Sequence, residues 1–112
     1  MVLDEKEMNL YEKCRHSCPF EVLHTVTGGN VRGLDLLALR LVLAKNKQPS
    51  EIVNVLLIYF YKTFANKVYD RNALFKVFDF WKKNNVDTFK QAVDMTERDI
   101  HTILKDRKKL HE

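Results

Sequence analysis

A chain of 112 residues holds one domain's core and leaves no room for a second. Hydrophobic residues at 46% and charged residues at 30% exclude wholesale disorder, and 3 Gly with 2 Pro supply too few turns for a sandwich or barrel. Lys and Arg number 19 against 15 Asp and Glu, a formal net charge of +4, so contact with nucleic acid or an acidic partner is permitted and charge distribution must decide.

The chain opens with Asp4, Glu5 and Glu7 where a signal peptide would carry a basic and then an apolar region. Asp4 also starts an amphipathic stretch, with Met8, Leu10 and Tyr11 on its apolar side, that is expected to run as a helix to about Arg15. Cys14 and Cys18 follow, with His16 between them and His24 beyond. Four-coordinate zinc draws on two separated ligand pairs, and no second pair is spaced for it, so reduced thiols without a metal are expected. Pro19 fits the first turn of a short second helix, Phe20 to about Thr25, which Gly28-Gly29 stops. Those glycines lack the third glycine or the Lys-Ser/Thr of a phosphate-binding loop.

A third helix is predicted over 33–45, with Leu34, Leu36, Leu37, Leu39, Leu41, Val42 and Leu43 covering more than half the cylinder. Pro49-Ser50-Glu51 opens the next, a nearly all-apolar run from Ile52 to Tyr61 interrupted by Asn54. That run falls well short of the ~18 residues of a membrane span. Its length and proline start favour a central helix over a buried strand. Residues 64–69 are read as a loop, and Asp70 as the N-cap of a helix to about Lys83 with Leu74, Val77, Phe78 and Trp81 at i, i+3, i+4 and i+7. Asn84-Asn85 stops it. Thr88 with Gln91 forms a capping box for a last helix, expected to bend near Thr96 and end in the basic stretch 105–109. The fold class is therefore all-α, a compact single-domain bundle of five to six helices. Its expected core includes Leu37, Leu41, Val53, Leu56, Leu57, Phe60 and Val77.

No catalytic motif is assembled: there is no His-Glu-x-x-His, Gly-x-Ser-x-Gly or P-loop, so no catalytic residue and no cofactor is expected. Between Tyr61 and Lys90, cations alternate with aromatics, which are the two ingredients of single-strand binding: charge for phosphates and ring faces for bases. The candidate DNA-binding residues are Lys67, Arg71, Lys76, Trp81, Lys82, Lys83 and Lys90. Against this, most of the aromatics fit helical spacing for a core, and lysines commonly coat the outer face of a helix.

The stretch Ser-Cys-Pro-Phe-Glu-Val-Leu from Ser17, then Gly28-Gly29, Leu34-Asp35-Leu36, and above all Ile-Val-Asn-Val-Leu-Leu-Ile-Tyr-Phe-Tyr-Lys-Thr from Ile52, resembles the DnaD/DnaB-like replication initiation domain of low-GC Gram-positive bacteria. The similarity continues through Lys67, Lys76-Val77, Trp81-Lys82-Lys83 and Thr88 to Ala92, spanning about residues 17–92 and leaving 96–112 as a basic C-terminal helix or tail. It implies a helical, non-catalytic, cytoplasmic and nucleoid-associated module. Such a module contacts single-stranded DNA and primosome partners, the replicative helicase or its loader, with the ATP-hydrolysing loader a separate protein. One departure concerns the family's signature helix, which reads Tyr, then Ile, then Trp at four-residue steps; here Ala73, Val77 and Trp81 stand instead. The alternative is a module that docks on the helicase or loader with little direct DNA contact.

Overall fold

The computed structural model describes residues 5–47, 49–64, 72–100 and 102–103, with side chains from Leu10 onward. Six helices follow in order: α1 (Glu5–Cys14), α2 (Pro19–Val26), α3 (Gly33–Lys45), α4 (Ser50–Phe64), α5 (Ala73–Lys83) and α6 (Phe89–Met95). No strand occurs among the described residues. The all-α bundle read from the sequence is thus observed. No helix is long and apolar enough to cross a membrane among those residues.

α4 is the mast of the bundle. Eleven of its fifteen residues are buried, because α1, α2, α5 and α6 all pack on it. It includes Phe64, expected at the start of a loop: Phe64 lies one turn beyond Phe60, with ring centroids 4.8 Å apart, so apolar contact carries the helix through Lys62.

Two helix ends close in the same way. After α2, Gly28 and Gly29 adopt φ of +64° and +83°, with Gly29 N–H donating to the His24 carbonyl at 2.8 Å and Gly28 N–H to Thr25 at 3.2 Å. After α5, Asn85 (φ +58°) donates to Lys82 at 3.1 Å and Val86 to Trp81 at 3.2 Å. Both are six-to-one and five-to-two pairs around a left-handed residue, which satisfy carbonyls the helix leaves open. Val86 is buried, anchoring the second turn.

Three expectations need correction. Leu37 and Leu41, expected in the core, are 62% and 39% exposed. The principal neighbour of α3 is α5; Asp35, Ala38, Leu39 and Val42 form the buried stripe, Leu34, Leu36 and Leu43 beside it are partly covered, and Leu37 and Leu41 on the far side are left in solvent. The last helix does not run on through a bend: α6 ends at Met95, where the Thr96 hydroxyl donates to the Val93 carbonyl at 2.5 Å. Asp99 then opens a new turn, accepting from Thr102 N–H at 3.3 Å and its hydroxyl at 3.0 Å, with Ile100 and Ile103 buried. Finally, α5 begins at Ala73 after Asn72, later than a cap at Asp70 would start it; Asp70 itself, positions 65–69 of the expected 64–69 loop and the stretch 104–112 lie outside the described residues. The Thr88–Gln91 capping box forms as read, with Gln91 N–H on Thr88 Oγ1 and Thr88 N–H on Gln91 Oε1, both 3.1 Å.

Two buried polar side chains tie the helices together. Asn54, 1% exposed on α4, donates from Nδ2 to the carbonyls of Cys14 and Ser17, both 2.8 Å, closing the end of α1. Asp35, fully buried at the start of α3, accepts from Arg32 N–H at 3.0 Å, from the Arg32 guanidinium at 3.3 Å and from the Tyr61 hydroxyl of α4 at 3.1 Å.

Candidate nucleic-acid interface

The seven residues expected to contact DNA do not form one surface. Lys67 and Arg71 lie outside the described residues. Lys76 is half-buried on α5, while Lys82 and Lys83 are exposed in its last turn. Lys83 is partly neutralised, its Nζ 3.2 Å from Asp79 Oδ2 one turn back.

Lys90 stands apart from them. It lines a groove of about 660 Å³ between the end of α1 and the starts of α4 and α6, where Glu12, Glu51, Asp87 and Asp94 outnumber Lys90 and Arg15. Arg15 is committed there: its Nε donates to Glu51 Oε2 at 2.6 Å, and its guanidinium lies 4.3 Å over the Phe89 ring. The Glu51 hydrogen bond, ahead of any attraction from Glu12, holds the Arg15 guanidinium above its usual pKa. Four carboxylates against two cations repel a phosphate, so Lys90 sits in the wrong field for a DNA backbone.

Trp81 is 2% exposed. Its ring stacks on Tyr59 with centroids 5.7 Å apart and planes at 25°, so neither base nor phosphate reaches a free face. This corrects its placement among stacking residues: helical spacing at i+4 and i+7 put it on the core side of α5. Ala73 (4%) and Val77 (0%) share that side, so the whole signature stripe packs inward. Ala73→Tyr is accordingly expected to overpack the core, lowering stability by about 1 to 3 kcal/mol without a gain in single-strand affinity. A urea melt beside an oligonucleotide titration checks both halves. Phe80, half-exposed beside the stripe, carries the Arg98 guanidinium at 5.9 Å from its ring centroid.

What the fold does assemble is a cluster the sequence reading missed. Lys45 ends α3, Lys47 follows it, and Lys82 comes from the last turn of α5; together with Asn46 they rim a narrow cleft floored by Ile52, Phe78 and Trp81. All three lysines are exposed and form no ion pair among the described residues. Lys45 and Lys82 also complement the negative C-terminal ends of their helices, which accounts for their presence there but not for Lys47 beyond the helix. In the floor, the Trp81 indole N–H is buried without an acceptor among the described residues. The sequence signal was the pair of basic residues two apart after the leucine-rich helix. Nothing in it placed them beside α5, some 35 positions on.

Elsewhere the described residues offer little reactive chemistry. Burial pushes the Cys14 thiol up, away from the thiolate, against a smaller opposing pull from Lys13. Cys14 is buried and Cys18 exposed, both as free thiols. Burial also raises the Tyr59 phenol far above its usual range, and its hydroxyl donates to the Arg98 carbonyl, pinning the turn after α6 to α4.

Comparison with family models, with curated proteins and with solved structures finds no match to this chain.

Proposed function

We propose that this chain is an accessory module of DNA-replication initiation that binds single-stranded DNA and primosome partners during helicase loading, acting by attachment rather than by catalysis. The resemblance over about residues 17–92 supplies the setting. The observation that carries the DNA contact is the convergence of Lys45, Lys47 and Lys82, exposed and without an ion pair among the described residues, from the end of α3 and the last turn of α5 onto one cleft. With the aromatic stripe turned inward, the contact is to the phosphate backbone and depends little on base identity.

Three neutralised phosphates on a single strand give a salt slope of about 2 in logarithmic units, or roughly a 20-fold loss of affinity between 50 and 200 mM salt. A fluorescent oligonucleotide titration reads it. Lys82→Glu is expected to weaken binding, whereas Lys90→Glu, in its acidic groove, leaves it unchanged. Absence of binding at 50 mM, or affinity indifferent to salt, overturns the DNA reading.

A second reading, docking on the replicative helicase or loader with little DNA contact, is favoured by the inward packing of Ala73, Val77 and Trp81. A pull-down of purified helicase and loader on the sample used for the titration separates the two.

A further inference from the structure

The solvent-facing surface of α3 is unlike that of any other helix here. Leu37, Arg40, Leu41 and Ala44 stand at i, i+3, i+4 and i+7, all exposed, so the helix carries a second apolar stripe opposite its buried one. Only three large apolar residues are exposed among the described ones, and two of them are neighbours here, one turn apart. Beside them runs a cleft of about 270 Å³ lined by Leu37, Ala38, Leu41 and Asn72, at the seam between α3 and the start of α5. Exposed leucines at this spacing next to a cleft are the geometry that receives one apolar side of another helix.

Charge decides what that helix is. Arg40 lies within the stripe, with Lys45 and Lys47 at its C-terminal end, and all three are exposed. The one acid of α3, Asp35, is fully buried and already bonded to Arg32 and Tyr61. Among the described residues of α3 and its C-terminal end, the face is therefore apolar with a cationic border. A second copy of this chain, laid antiparallel on it across a two-fold axis, would set Arg40, near the middle of the stripe, against its equal and add no acid to the border, which disfavours it.

We propose that this face docks an amphipathic helix of a partner protein, with leucine-like anchors at i, i+3, i+4 and i+7 and Asp or Glu along its flanks. The inference deepens the docking reading above and rests on it only for the existence of a protein partner.

The probe is a synthetic helical peptide with leucines at that spacing and glutamate flanks, compared with the same peptide bearing lysine flanks. The glutamate peptide is expected to bind saturably and at least about tenfold more tightly than the lysine peptide, since like charges at a border select against the wrong partner. Leu37→Asp removes that binding with the melting temperature unchanged, and Arg40→Glu narrows the preference between the two peptides. Neither variant alters the oligonucleotide titration, and Lys82→Glu leaves peptide binding intact. Equal affinity for both peptides, no saturable binding, or a melting temperature lowered sharply by Leu37→Asp overturns the proposal. So does self-association in sedimentation that Leu37→Asp abolishes, which makes a second copy the occupant. Capture of helicase or loader equally by the wild type and Leu37→Asp overturns this face while leaving the docking reading standing.

Discussion

Asn54→Asp is expected to destabilise the protein by about 3 to 5 kcal/mol at neutral pH, as an unpaired charge does in a buried site. The substitution keeps the shape of the side chain but replaces an N–H donor, directed at the carbonyls of Cys14 and Ser17, with a carboxylate oxygen that faces them. Burial raises the folded-state pKa of such an acid above the ~3.9 of the unfolded chain. The penalty is therefore small below that unfolded value, grows as pH rises toward the folded one, and is complete above it. Denaturant melts of the variant and wild type between pH 4 and 8 check it. A difference that stays constant with pH would show that the side chain reaches water. Asn54→Leu, which orphans the same carbonyls without adding a charge, is expected to cost less and to show no such pH dependence.

The second large effect belongs to Asp35→Ala, expected to cost about 2 to 4 kcal/mol by removing the acceptor of a buried hydroxyl and of a part-buried N–H. The Tyr61 hydroxyl and the Arg32 N–H lose their acceptor together, and the start of α3 loses its tether to α4. The Arg32 guanidinium, more than a third exposed, turns to water and adds little. Tyr61→Phe in the Asp35→Ala background separates the terms in an equilibrium melt. If the orphaned hydroxyl is the main cost, the double variant recovers part of the loss.

Much of the fold was legible because helices announce their ends locally. Pro19 acts through its fixed φ and missing N–H, and Gly28-Gly29, Thr88 with Gln91 and Asn84-Asn85 through bonds to residues three to five positions away; each stands where the sequence placed it. Periodicity failed on α3 for a physical reason. A helix apolar on every side has no preferred face, so which leucines are covered depends on how many neighbours arrive, and one principal neighbour did. The spacing of Trp81 reported its side of the helix faithfully; the expectation that it meets DNA came from counting aromatics near lysines. The cluster of Lys45, Lys47 and Lys82 and the bonds of Asn54 join residues about 35 to 40 positions apart, and no window along the chain brings those together. Asn54 looked like a flaw in an apolar run because its partners belong to another helix.

The clasp that Asn54 forms on α1 also makes the shape of that helix conditional on α4. Closing a loop of some forty residues costs roughly 3 kcal/mol of chain entropy. A ten-residue helix such as α1, alone in water, is too short to hold its own shape. α1 therefore depends on its contacts with α4 for its helical shape, as the similarly short α2, α5 and α6 depend on theirs. Tyr11 and Cys14 travel with it, so lifting this one segment uncovers a ring and a thiol that the native protein keeps dry.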